Sequence, residues 1–263
     1  MNYLDARASG NSLITTGKVR HCMELISICY RFMAADGSKH IFDLLINAEN
    51  LELQTKPREY LPDWTILNFH QCPHCTLALE THPHCPLALN LVEIVENFEG
   101  LVSYDEIHLD VITQERRISQ KTTMQRGISS LMGLVIATSG CPHTAFFKPM
   151  ARFHLPLSTV EETIYRATST YLLAQYFMKK EGYNADLELI GLTEFYNNIQ
   201  TINTFIADRL RDATKTDSSL NAIILLDAYA KALPYVIEKS LEEIRYAFAP
   251  YLSKMQSGYT EEV

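Results

Sequence analysis

The stretch MELISICYRFMAADGSKHIFDLLI, residues 23–46, holds two apolar runs of strand length separated by Ala35-Asp36-Gly37-Ser38. β-Branched and aromatic residues are frequent in both runs, which suits a pleated, half-buried surface. Asp-Gly between such runs is a strong short-range hairpin signal, because the turn needs residues that tolerate positive φ. An antiparallel sheet near the N-terminus is the expectation that follows. LELQT (51–55) is expected to extend it, PREYLPDW (57–64) to form a loop, and WTILNF (64–69) to add a short strand.

Downstream, PLALNLVEIVENFEG (86–100) reads as a helix, with Pro86 at the first helical position and Gly100 just past the end. Val102, Tyr104, Ile107, Leu109 and Val111 follow strand alternation with a slip near Asp105. QKTTMQRGISSLMGLVIATSG (120–140) returns to a helical pattern. The remainder is helical. Ser158 with Glu161 three residues later has the spacing of a capping box. From there Val160, Ile164, Ala167, Tyr171, Leu172 and Gln175 step along one face. A second helix is expected over 187–212, with Leu192, Phe195, Tyr196, Ile199, Ile202, Ile206 and Leu210 at helical spacing, and a third over 218–248, kinked at Pro234.

The fold class is therefore α+β: a small N-terminal antiparallel sheet with a metal knuckle, followed by a C-terminal helical bundle. Residues 1–20 are read as a flexible arm, 21–140 as the mixed part and 141–263 as the mainly helical part, packed as one unit.

Hydrophobic residues make up 47% of the 263 positions, enough for a real core. The net charge of -8 argues against bulk nucleic-acid binding. No charged segment followed by an apolar one marks a secretory signal at the start. The most apolar late stretch, 220–237, contains Asp227, Lys231 and Pro234, so it reads as a core helix rather than a membrane span. These features point to a cytoplasmic protein, in which six cysteines are ligands or buried hydrophobes more often than disulfides.

The chemistry concentrates in HQCPHCTLALETHPHCP (70–86), three cysteines and four histidines in seventeen positions. Cys72 and Cys75 have C-x2-C spacing, which lets two thiolates bind one ion while the backbone turns between them. Cys85 precedes Pro86 at a helix start, where the dipole favours a thiolate. Cys141, in TSGCPHT, follows Gly140 and precedes Pro142. The expected site is a tetrahedral set of Cys72, Cys75, Cys85 and Cys141. His74, His84 and His143 are alternative ligands, as are His70 and His82. Zinc is the expected ion, and an iron–sulfur cluster the alternative for four thiolates. Cys22 and Cys29 are expected to be reduced hydrophobes.

No metalloprotease, deaminase, nucleotide-binding or nucleophile-elbow motif is present. Residues 111–160 carry six basic side chains against the single acid Glu115. Arg126, Lys148 and Arg152 are candidates for holding a small anion, or else for pairing with acids of other segments. His154 is expected to be satisfied by a backbone carbonyl rather than to act as a ligand.

In order along the chain, WTILNFHQCPHC, CPLALN, SGCPH and ARFHLPLSTVEET resemble an uncharacterised bacterial family, a domain of unknown function, over roughly residues 24–180. The resemblance implies that the Cys-Pro motifs belong together. It implies no activity, substrate or partner.

The expectation is a zinc-stabilised cytosolic protein that binds a protein partner or a ligand, with dimerisation through the C-terminal helices. A metal-dependent enzyme or small-anion sensor using residues 141–152 is the alternative, and an iron–sulfur or redox protein a further one.

Overall fold

The computed structural model describes residues 24–98, 101–213 and 218–259; the expected arm and Cys22 lie outside them. The hairpin forms as read. Strand β1 (Leu25–Ala34) and strand β2 (Lys39–Asn47) pair antiparallel, from Leu25 opposite Asn47 to Met33 opposite Lys39. Gly37 takes φ +87°, its N–H donates to the Ala34 carbonyl at 3.0 Å, and the Asp36 carboxylate accepts from the Ser38 N–H at 2.8 Å. Those contacts fix the turn and hence the register.

Strands β3 (Glu106–Ile112) and β4 (Arg117–Thr123) complete a four-stranded sheet in the order β2-β1-β3-β4, antiparallel throughout. Period-two alternation sends Ile28, Tyr30, Phe32, Phe42, Leu44, Ile46, Ile107, Leu109 and Val111 into the core. On the opposite face, which also exposes Ile41 and Leu45, Arg117 is paired to Asp110 and holds its carboxyl below the usual carboxylate range. β4 was not expected: residues 120–123 had been read as the start of a helix. RISQKTT is an edge strand with little buried surface, so it lacks the alternation by which a strand is recognised.

Seven helices follow or interrupt the sheet: α1 (Pro86–Asn97), α2 (Met124–Ala137), the short α3 (Lys148–Arg152), α4 (Val160–Lys180), α5 (Ile190–Ala213), α6 (Ser218–Ile244) and α7 (Ala249–Tyr259). α1 and α2 cover the sheet's apolar face. α2 lies so close that a Cβ built on Gly127 would stand 2.8 Å from a Phe32 ring carbon and 3.1 Å from Ile107 Cδ1. One cluster of buried residues runs from Ile28 through α1 and α2 to Ile202, Ile206 and Leu210 on α5 and Ile223 on α6.

Several local expectations are corrected. WTILNF is a turn of 3-10 helix at Asp63–Thr65 followed by a single bridge, Ile66 to His84, and not a strand. LELQT joins the sheet through one bridge, Ile46 to Leu53. The α4 cap is Thr159 with Glu162, one residue beyond the expected pair. The Thr159 hydroxyl accepts from the Glu162 N–H at 3.1 Å, and the Glu162 carboxylate accepts from the Thr159 N–H at 2.7 Å. The buried face of α4 carries Ile164, Ala167, Thr168 and Tyr171, while Val160 and Leu172 are exposed. α6 continues across Pro234 but ends at Ile244, short of 248.

Candidate metal centre

The knuckle 70–75 is a tight local turn. His70 has φ +44°, and the Cys75 N–H donates to the Cys72 carbonyl at 3.0 Å. Cys85 is the residue before α1, with extended backbone and Pro86 at the first helical position, as its sequence indicated. Its N–H donates to the Thr65 carbonyl at 2.8 Å, and Leu67 N–H donates to the Pro83 carbonyl at 2.9 Å, so 65–67 and 83–85 run side by side. Gly140, at φ +82°, turns the chain after α2, so that Cys141 begins a 3-10 turn at Pro142–Phe147.

The turn after Cys141 meets the knuckle. His143 Nε2 lies 2.7 Å from the His74 carbonyl, and the two rings are 4.2 Å apart, edge to face. A carbonyl only accepts, so His143 Nε2 carries a proton and donates it. His74 Nε2 is buried without a partner, and burial with the neighbouring His143 holds His74 below its ordinary pKa. His84 Nδ1 is 2.8 Å from the Thr65 hydroxyl, which itself donates to the Pro62 carbonyl at 2.6 Å. His70 pairs with Asp212 on the surface at 2.7 Å.

Cys72, Cys75, Cys85 and Cys141 are all half-buried and free of disulfides, and they act on one another electrostatically. Burial first, and then the charges that Cys85, Cys141 and Cys75 would carry, push the Cys72 thiol up to about 12. Burial pushes Cys141 up to about 11, opposed by the backbone N–H groups of His143 and Thr144 directed at its sulfur. Without a cation, such a group keeps its protons. A dication reverses that balance, because each thiolate is then drawn to the ion. Among the described residues no group of three or more His, Cys, Asp or Glu stands ready-made to hold a metal ion. The four cysteines are near enough to influence one another's charge: Cys85, Cys141 and Cys75 act on Cys72, and Cys85 and Cys75 on Cys141. Cys29 lies apart, buried in β1.

Sequence reading missed Arg209. It sits on the buried face of α5, 2% exposed, and reaches back across the cluster. Its guanidinium donates to the carbonyls of Trp64 at 2.7 Å, Ile66 at 2.8 Å and Leu67 at 2.8 Å. Burial lowers its pKa, and Cys85, Cys72 and Cys75 oppose that shift. The available signal was a cation inside an apolar stripe, between Ile206 and Leu210.

The three anion candidates do not gather. Lys148 donates to Glu52 at 3.0 Å and to the Asn50 carbonyl at 2.8 Å, so it pairs with an acid of another segment. Exposed Arg152 lies over the Phe153 ring, 5.5 Å from its centroid. Arg126 alone borders the large cavity described below. His154 is satisfied, as expected, though by the Tyr30 hydroxyl at 2.5 Å.

No helix among the described residues is long and apolar enough to cross a membrane. No curated protein and no solved structure matches the chain. A family model described as a domain of unknown function matches residues 28–249, which takes in the three Cys-Pro motifs and reaches the start of α7. The chain belongs to that family, DUF6901.

Proposed function

We propose that Cys72, Cys75, Cys85 and Cys141 hold one zinc ion as a closed structural staple, in a cytoplasmic protein that works by binding a protein or ligand rather than by catalysis. The observation that carries this reading is that four half-buried thiols, free of disulfides and drawn from three separate segments, stand near enough for the charges of Cys85, Cys141 and Cys75 to raise the Cys72 pKa, and those of Cys85 and Cys75 that of Cys141. Zinc suits four sulfur donors, and a full set leaves no position for a reactive water. The alternative ligand His74 belongs to the same place, its Nε2 buried without a partner, and the His143 ring stands against it. An ion held by three separate segments ties them together, so its binding energy is folding energy.

The test is elemental analysis of protein purified without added metal. The expected result is colourless protein with about one zinc per chain. Brown protein with broad visible absorption assigns an iron–sulfur cluster to the same sulfurs instead. Protein that folds and carries neither metal overturns the proposal. The same reading includes a homodimer through the helical part, where Tyr165, Leu173, Tyr176 and Phe177 of α4 are more than half exposed.

A further inference from the structure

A cavity of about 220 Å3 lies among α2, α4, α5, α6 and the segment 147–158. None of the four clustered cysteines lines it. Its walls are mainly apolar, including Leu134, Leu157, Ile199, Leu225 and Leu226. Polar side chains interrupt them, among them Arg166 from α4, Asn203 from α5, and His154. Exposed Arg126 stands at the rim.

Arg166 is half-buried, and burial lowers its pKa from the ordinary arginine value. Nη2 donates to the Met150 carbonyl at 2.8 Å and the Phe153 carbonyl at 3.2 Å. Among the described residues no carboxylate forms an ion pair with it. Glu162, whose charge acts on it, is exposed and tied into the α4 cap. A guanidinium still has donors left after two carbonyl bonds.

Asn203 is 2% exposed, and its Nδ2 has no hydrogen-bond partner. A buried donor left unpaired is costly, so it calls for an acceptor. The remaining polar groups add no negative charge. His154 Nε2 is held by the Tyr30 hydroxyl, which also meets the Ser130 hydroxyl at 3.0 Å. Burial keeps Tyr30 and Tyr196 protonated. The cavity thus offers one fixed positive charge, one unused amide donor and an apolar interior.

We propose that this cavity binds a small organic monocarboxylate with an apolar body, its carboxylate taking hydrogen bonds from Arg166 and Asn203 and its hydrocarbon filling the space beside Leu134, Leu157 and Leu226. A dry apolar cavity of about 150 Å3 takes benzene, so the space here suits a molecule of roughly nine or ten non-hydrogen atoms. A medium-chain or aromatic carboxylate has that size. An unassisted inorganic anion does not use the apolar walls. The site is separate from the cysteines, so this inference stands or falls independently of the zinc assignment.

The experiment is calorimetric titration of the full-length protein, metal content unchanged, with sodium octanoate, sodium benzoate, 1-octanol and inorganic phosphate. The expected result is saturable binding of octanoate or benzoate at one site per chain. Octanol should bind at least about tenfold more weakly, and phosphate without detectable heat. Arg166→Gln and Asn203→Leu should each reduce carboxylate affinity at least about tenfold. Asn203→Leu keeps the wall apolar and leaves Arg166 in place, so it reads the site even if Arg166→Gln fails to fold. Equal binding of octanol and octanoate overturns the proposal, as does carboxylate affinity unchanged by Asn203→Leu. So does the absence of binding by either carboxylate to the folded wild-type protein.

Discussion

The residues that matter most are those whose partners decide their charge. On the four-cysteine reading, Cys75→Ser releases metal and lowers the melting temperature sharply, whereas Cys29→Ser, beside Asp43 and Arg31 on the sheet, costs far less. Equal effects in a thermal melt with a zinc-chelator assay would contradict the ligand set. Arg209→Leu leaves three carbonyls at 64–67 without their donor and should destabilise by about 3 kcal/mol in denaturant titration. His154 makes a prediction about pH. Burial, with the Arg166 charge, lowers its pKa to about 3, while its unfolded value lies near 6.5. A folded pKa below the unfolded one means the unfolded chain takes the proton first. Stability from this group is therefore whole above about pH 6.5 and falls as the pH drops toward 3. At pH 5 the loss should be about 1 to 2 kcal/mol relative to pH 7.5, and a His154→Gln variant should show a flatter acid limb. The cysteines were legible in the sequence because Cys-Pro and C-x2-C are local patterns. Arg209 and Arg166 were not, since what a buried arginine reaches is set by packing between segments far apart in the chain.

At the scale of elements, legibility followed buried surface. The first hairpin, α1 and α5 each present a full apolar stripe, and each was placed within a few residues. β4 presents almost none and was absorbed into the helix after it. The α4 cap was off by one because Ser158 and Thr159 are both good caps and each has a glutamate three residues on. Position among neighbours, not residue type, chose between them. That choice is testable: Thr159→Ala should cost about 1 kcal/mol and Ser158→Ala clearly less, by chemical denaturation. Close approach of α2 to the sheet gives a second element-level prediction. Gly127→Ala introduces a methyl group where Phe32 and Ile107 leave no room, and should destabilise by about 1–3 kcal/mol. A stability equal to wild type would mean that α2 can slide outward at no cost.

For the molecule as a whole, sequence periodicity indicated an α+β chain with the sheet first and the helices after, and the structure has that arrangement. What periodicity lacked was the way the halves interlock, since the core passes from β1 through α2 to α6 without a break. The cavity was invisible for the same reason: its walls come from five separate segments, each of which reads simply as amphipathic helix or loop. Dimerisation belongs to this scale too. Light scattering after gel filtration should give twice the 30.0 kDa chain mass, and Phe177→Glu should return it to the single-chain value. A wild-type protein eluting at 30.0 kDa would rule out the pairing.

The strap that Arg209 makes has a consequence for how the chain matures. Its carbonyl partners emerge from the ribosome more than 140 residues earlier. Until α5 has been synthesised and docked, the carbonyls of Trp64, Ile66 and Leu67, beside the loop of Cys72, Cys75 and Cys85, lack that donor. An N-terminal fragment ending before α5 should therefore be a substrate for proteases at residues 60–85, and the thiols should become guarded only on completion of the nascent chain.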